Sequence, residues 1–140
     1  MSVKLILKLR PEFWNVPPFI QLEINGEIHP TDDFKISNRV VEYSFQIDDQ
    51  KNHLIKIKRF GKQPSDTLFE DNKVTKDQLL YIEDIVVDDV SLKRFLHLGN
   101  FYPDYPEPWA SEQRSNGVEL PEVENYRSTL YHNGTCEFDF

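Results

Sequence analysis

Flat aromatic rings set among prolines are the residues of this chain best suited to binding chemistry. The run Phe101-Tyr102-Pro103-Asp104-Tyr105-Pro106-Glu107-Pro108-Trp109 carries most of them, and Trp14 stands between Pro11 and the pair Pro17-Pro18. A ring face can lie against the C–H face of a pyranose while nearby acids and amides fix the hydroxyls. Trp109, Tyr105, Tyr102 and Trp14 are therefore the candidate ligand-binding residues, with Phe95 and Phe101 as neighbours in the same platform. The same rings suit two other roles: covering the open edge of a core, or anchoring a protein interface, where Trp and Tyr concentrate binding energy. The prolines at 103, 106 and 108 exclude a helix interior or a central strand there.

Carboxylates are the second chemical resource. Paired acids recur at Asp32-Asp33, Asp48-Asp49, Glu83-Asp84 and Asp88-Asp89. A hard cation such as Ca²⁺ needs several oxygens converging on one point, and none of these pairs has EF-hand spacing. Adjacent acids on a strand face opposite ways, so Glu83 and Asp84 meet at one ion only through a bulge. Asp88-Asp89 makes a turn after Val87.

Nucleophilic catalysis needs a Ser or Cys beside an oriented base. His29, His53, His97 and His132 show neither a nucleophile elbow nor paired metal-ligand spacing, and they read as surface or strand-face residues. The lone Cys136 lies in a terminal strand pattern and reads as a buried, inert thiol. A non-enzyme is expected.

Composition narrows the partners. A net charge of −8 opposes nucleic-acid binding, which depends on clustered Lys and Arg, and opposes an anionic membrane surface. The Met1–Leu9 stretch is too short and, with Lys4 and Lys8, too charged for a signal core, and no run approaches the length of a membrane span. A protein folding in a cytoplasm is expected. At 140 residues with 13% aromatics, the chain suits one domain, residues 1–140, with a core that needs no disulfide. Surface loop is expected at Gly61–Asp77 and Ser111–Gly117, and extended cover over 100–128.

The elements that must position these residues read as strands. Val3, Leu5, Leu7 and Leu9 alternate with polar neighbours, as do Ile20, Leu22 and Ile24 before the Asn25-Gly26 turn. Val41, Tyr43, Phe45 and Ile47 form a further strand, expected to make a hairpin with the strand carrying Ile55 and Ile57. The alternating segment Leu79–Asp89 reads as another, and Cys136, Phe138 and Phe140 follow the Asn133-Gly134 turn as an inward-facing last strand. Ser91–Leu98 fits either helix or strand. The expected fold is all-β: an antiparallel β-sandwich of jelly-roll kind with a long proline-aromatic C-terminal extension.

Four segments together resemble small tailed-bacteriophage proteins: Phe13-Trp14-Asn15-Val16-Pro17-Pro18-Phe19, Leu80-Tyr81-Ile82-Glu83-Asp84-Ile85 with its following Val-Asp, Phe101-Tyr102-Pro103 through Pro108-Trp109, and Asn133-Gly134-Thr135. These in turn resemble calcium-dependent xylan-binding carbohydrate-binding modules, in which a late strand of the form aromatic-Ile-x-x-Ile-x-Val-Asp precedes a binding edge. The resemblance implies Asp88 and Asp89 as metal ligands and Ca²⁺ as the cofactor. This chain departs from the pattern where Val87-Asp88 is followed by Asp89 rather than Gly.

The function expected is a non-catalytic phage binding module that holds a glycan by stacking at one end of the sandwich. The alternatives are a virion structural or decoration protein docking through the extension, and an acidic inhibitor of a basic host protein. The partner is accordingly a glycan or another protein subunit. The expected location is the host cytoplasm during infection, or the virion.

Overall fold

The computed structural model describes residues 2–31, 34–126 and 129–140. Its strands are, in chain order, β1 (Ser2–Glu12), β2 (Phe19–Ile24), β3 (Glu27–His29), β4 (Val41–Asp48), β5 (Leu54–Phe60), β6 (Leu68–Glu70), β7 (Lys73–Lys76), β8 (Leu79–Val87), β9 (Val90–Ser91), β10 (Asn100–Pro103), β11 (Glu124–Asn125), β12 (Thr129–Leu130) and β13 (Gly134–Asp139). One helix, α1 (Trp109–Ser115), follows β10. The acid pair Asp32-Asp33 lies outside the described residues.

Two antiparallel sheets face each other. The first runs β12-β8-β1-β4, with β9 on the same far edge of β8 as β12; the second runs β11-β10-β13-β5-β2-β3. The alternation that builds β1 buries Val3 and puts Leu5, Leu7 and Leu9 in one core with Ile20, Leu22, Ile24, Ile55, Ile57 and Cys136 of the facing sheet. Each such aliphatic side chain contributes about 1.5–3 kcal/mol by leaving water, which is why the period-two pattern fixes the register of both sheets. The all-β sandwich expected from the pattern is what the chain adopts.

Within β8 the inward residues are Leu80, Ile82 and Ile85, a spacing that changes from two to three. Lys8 pairs with Asp84 but Leu9 pairs with Ile82, so Glu83 is the extra residue of a bulge. The bulge frees Glu83 to bind Arg10 Nε at 2.6 Å, while Asp84 accepts from Ser91 at 2.7 Å. The far edge of β8 is closed between β12 and β9 by Tyr126, whose hydroxyl accepts from Ile82 N–H and donates to Ile82 C=O, both at 2.9 Å. Tyr126→Phe strands two buried backbone groups and is expected to cost about 1–3 kcal/mol in urea unfolding.

Several connections differ from expectation. β4 and β5 are not a hairpin: β4 pairs with β1 and β5 with β2 and β13, so residues 49–53 carry the chain from one sheet to the other. Both strands alternate, and alternation alone does not say which sheet a strand joins. Asn133-Gly134, the turn expected before the last strand, carries the chain between sheets, since β12 pairs with β8 and β13 with β5 and β10. Gly134 has φ +153°, and a Cβ there would collide with the Tyr102 carbonyl.

The Gly61–Asp77 segment is more than a loop. It holds the β6–β7 hairpin, turned by Asp71-Asn72 with both residues at positive φ, as a two-residue turn requires. The 100–128 stretch contributes β10, which sits between β11 and β13 and buries Phe101, so that this ring is core rather than platform. Ser111–Gly117, expected as loop, mostly belongs to α1, anchored by buried Ala110. The ambiguous Ser91–Leu98 resolves into Ser91, the end of β9, and a 3-10 turn over Lys93–Leu98.

Candidate functional site

The chain ends β1, β5 and β10 at one pole of the sandwich, and the three segments that follow them gather there: residues 13–18, 61–78 and 104–123. Between the β6–β7 hairpin and the start of α1 they leave an open groove of about 470 Å³. Phe69 and Val74, paired across the hairpin, line one wall, and Pro106, Pro108 and Trp109 line the other. Lys62, Asp77 and His132 add polar groups.

Trp109 is the first residue of α1 and remains 39% exposed. Its ring lies 6.2 Å from that of Tyr105 and 6.1 Å from that of His132, and Tyr105 meets His132 edge-on at 5.2 Å. Tyr105 is held in place by donating its hydroxyl to the Pro121 carbonyl at 2.8 Å. Glu107 accepts from both the Ser111 hydroxyl and its N–H, which ties the first turn of α1. The three rings form a tilted aromatic cluster with an exposed indole.

Beneath the cluster is a fixed polar base. Asp77 accepts from Lys62 Nζ at 2.7 Å, from the Thr67 hydroxyl at 2.7 Å and from the Gln78 N–H at 2.8 Å. Burial alone would raise the Asp77 pKa, but these hydrogen bonds outweigh it and hold the carboxyl below its ordinary value. For Lys62 the balance goes the other way: burial lowers its pKa, and Asp77 offsets this only in part. Lys62 Nζ also donates to the Tyr131 carbonyl at 2.8 Å, and Asn133 clamps the Lys62 backbone through Oδ1 and Nδ2.

Arg59 supports this base from within the core. It continues the inward phase of Ile55 and Ile57 on β5 and is wholly buried. Its guanidinium donates to the carbonyls of Leu130, Tyr131 and Gln78 and to Gln78 Oε1. Burial lowers its pKa to about 10, with Asp77 and Asp66 acting against that shift, so it stays charged at neutral pH.

His132 reports on this environment. Burial, then the nearby Lys62 ammonium, lowers its pKa from the ordinary 6.5. The unfolded chain therefore takes up the proton more readily than the folded one. Stability is fullest above about pH 6.5 and falls as pH drops from there through the depressed folded value. The urea midpoint is expected to be lower at about pH 5.5 than at about pH 7, with His132→Gln flattening that difference.

The structure brings together only part of the expected site. Trp109 lines the groove, and Tyr105 packs against Trp109 and His132 without lining it. Trp14 is at the same pole but off the groove, donating its indole N–H to the Asp66 carbonyl at 2.9 Å, with Lys76 Nζ 5.4 Å from its ring centre. Tyr102 projects instead from the outer face of the six-stranded sheet, beside Thr135, Lys58 and Glu137. Phe95 lies at the opposite pole beside Leu92, Leu98 and Phe140.

Asp88 and Asp89 also occupy that opposite pole. Both have positive φ in the β8–β9 turn, and Asp88 accepts from the Lys4 N–H at 2.8 Å. From Lys4 to Glu12 β1 runs roughly 26 Å, so an ion at Asp88-Asp89 could not touch a ligand on Trp109. Among the described residues, no group of three or more His, Cys, Asp or Glu comes together. Cys136 is buried, and its thiol pKa is pushed up to about 12 by that burial, in keeping with an inert thiol.

Sequence reasoning missed Phe69, Val74, Lys62, Asp77 and His132 as groove residues. The available signal was Asp71-Asn72 flanked by Leu68-Phe69 and Val74, a hairpin pattern that would have placed two exposed apolar residues side by side.

No protein-family model matches this chain, and no curated protein does. Among solved structures, the chain is similar to the carbohydrate-binding module described as vCBM60 in complex with galactobiose, with a TM-score of 0.55 and 10% sequence identity over 96% of each chain. An overlap covering nearly the whole of both chains at so low an identity is a likeness of fold: this chain has a β-sandwich like that of a carbohydrate-binding module.

Proposed function

We propose that this chain is a non-catalytic carbohydrate-binding module that holds a glycan in the groove between the β6–β7 hairpin and α1. The observation that carries the reading is the half-exposed Trp109, braced by Tyr105 and His132 and facing an apolar wall of Phe69 and Val74. An indole so held offers an apolar plate to a sugar ring at little ordering cost, and the adjacent Lys62, Asp77 and Asn133 supply hydrogen bonds for its hydroxyls. The likeness in fold to a module solved with galactobiose supports the same class of ligand.

Affinity electrophoresis in galactan and in xylan tests the proposal. Retention in at least one is expected, and equal mobility in every gel with and without polysaccharide would end it. Retention is expected to be unchanged by Asp88→Ala, because the Asp88-Asp89 turn stands at the far pole from Trp109.

A further inference from the structure

The structure divides the expected aromatic platform, and the separated piece has its own surroundings. Tyr102 projects from β10 onto the outer face of the six-stranded sheet, over a shallow hollow of about 330 Å³ that shares no lining residue with the Trp109 groove. Register places Gln21, Lys58, Thr135 and Tyr102 side by side across four strands. The next row is Glu23, Lys56, Glu137 and Asn100.

We propose that this face is a second binding surface, which takes an extended neutral polysaccharide chain lying across the strands. The inference rests on the reading of the protein as a carbohydrate-binding module and adds a site to it. Charge balance selects the ligand class. Lys56 Nζ lies 3.6 Å from Glu23 and 3.6 Å from Glu137, and Lys58 completes two cations against two carboxylates. The face therefore presents donors and acceptors without a net field, which complements a hydroxyl-rich neutral chain. It gives no anchor for phosphates or sulfates, which the −8 charge of the chain also repels. A protein partner would want a desolvated apolar centre, whereas here Tyr102 stands among Gln, Thr, Lys and Glu.

Geometry agrees with this ligand. Adjacent strands are about 4.8 Å apart, a step comparable to the advance of one sugar along an extended β-linked chain. Successive sugars would then meet successive strands, with Tyr102 at one end as the stacking ring. Two surfaces on one module would raise retention on long chains by avidity without tightening the hold on short ones.

The test is an amide-shift titration of wild type, Trp109→Ala and Tyr102→Ala with galactan- and xylan-derived hexasaccharides, with affinity electrophoresis of the same proteins in the parent polysaccharides. Two groups of shifts are expected in wild type, one around His132 and one around Gln21 and Lys56. Trp109→Ala should lose only the first and Tyr102→Ala only the second, and Tyr102→Ala should weaken retention on the long polymer about tenfold or more. Shifts around His132 alone, with retention untouched by Tyr102→Ala, would refute the second surface and leave the groove standing. Absence of shifts at both places would overturn both readings. Tyr102 is 39% exposed, and matching thermal melts confirm that its variant is folded.

Discussion

Arg59→Ala is expected to remove about 3–5 kcal/mol of stability, a large part of the roughly 5–15 kcal/mol available to a domain of this size. The side chain is fully buried, and its guanidinium is shared among three backbone carbonyls and the Gln78 side chain. Truncation leaves those acceptors without donors in a site closed to water, and it opens a cavity as well. It also unties β12 from the segment before β8, since Leu130 and Tyr131 lie on one side of Arg59 and Gln78 on the other. Arg59→Lys should recover only part of the loss, because one ammonium cannot reproduce a planar fork aimed at several carbonyls. Urea unfolding reads both effects as a lower midpoint. A loss under about 1 kcal/mol for the alanine variant would show that the guanidinium network contributes little.

Trp109→Ala is expected to weaken glycan binding at the groove by at least about 30-fold, the equivalent of roughly 2 kcal/mol for a central aromatic anchor. The fold should survive, because the indole is partly exposed and alanine is a good helix former at the start of α1. Titration calorimetry with a ligand identified by electrophoresis measures the loss. The informative control is Trp14→Ala. Its indole N–H is committed to the Asp66 carbonyl and its ring lies off the groove, so this change should lower stability and leave affinity nearly unaltered. A reversed outcome, with Trp14 carrying affinity and Trp109 none, would move the site to the neighbouring loop.

These expectations depend on features that were unequally visible beforehand. The inward faces of β1, β2 and β5 could be read directly, because one buried side of a sheet imposes alternation and an error of one residue would expose every leucine and isoleucine. The β8 bulge was visible only as a possibility: Ile82 and Ile85 are three apart, and the acids between them lie where a bulge was needed. Arg59 was hidden by its type. Its position repeats the phase of Ile55 and Ile57, yet a guanidinium is buried only when acceptors from distant segments come to it, and those come from residues 78, 130 and 131.

The aromatic site was legible as a list and not as an arrangement. Trp109 and Tyr105 pack together, since they sit on one short connection next to the sheet. Tyr102 lies only three residues from Tyr105 but belongs to a strand, and alternation sends it to the outer face while Phe101 enters the core. Asp88-Asp89 was recognisable as a turn, but only strand direction puts that turn at the opposite end of the molecule from Trp109.

The order of apolar and polar residues by itself determined that this chain forms half-buried antiparallel strands and where most of them turn. Tertiary structure alone decided which strands share a sheet, which acids and rings come together, and that His132, Phe69 and Val74 join Trp109. The physical reason is range. Alternation and turn preference act between residues near in sequence, whereas strand partners and groove walls are chosen by packing between segments far apart in the chain.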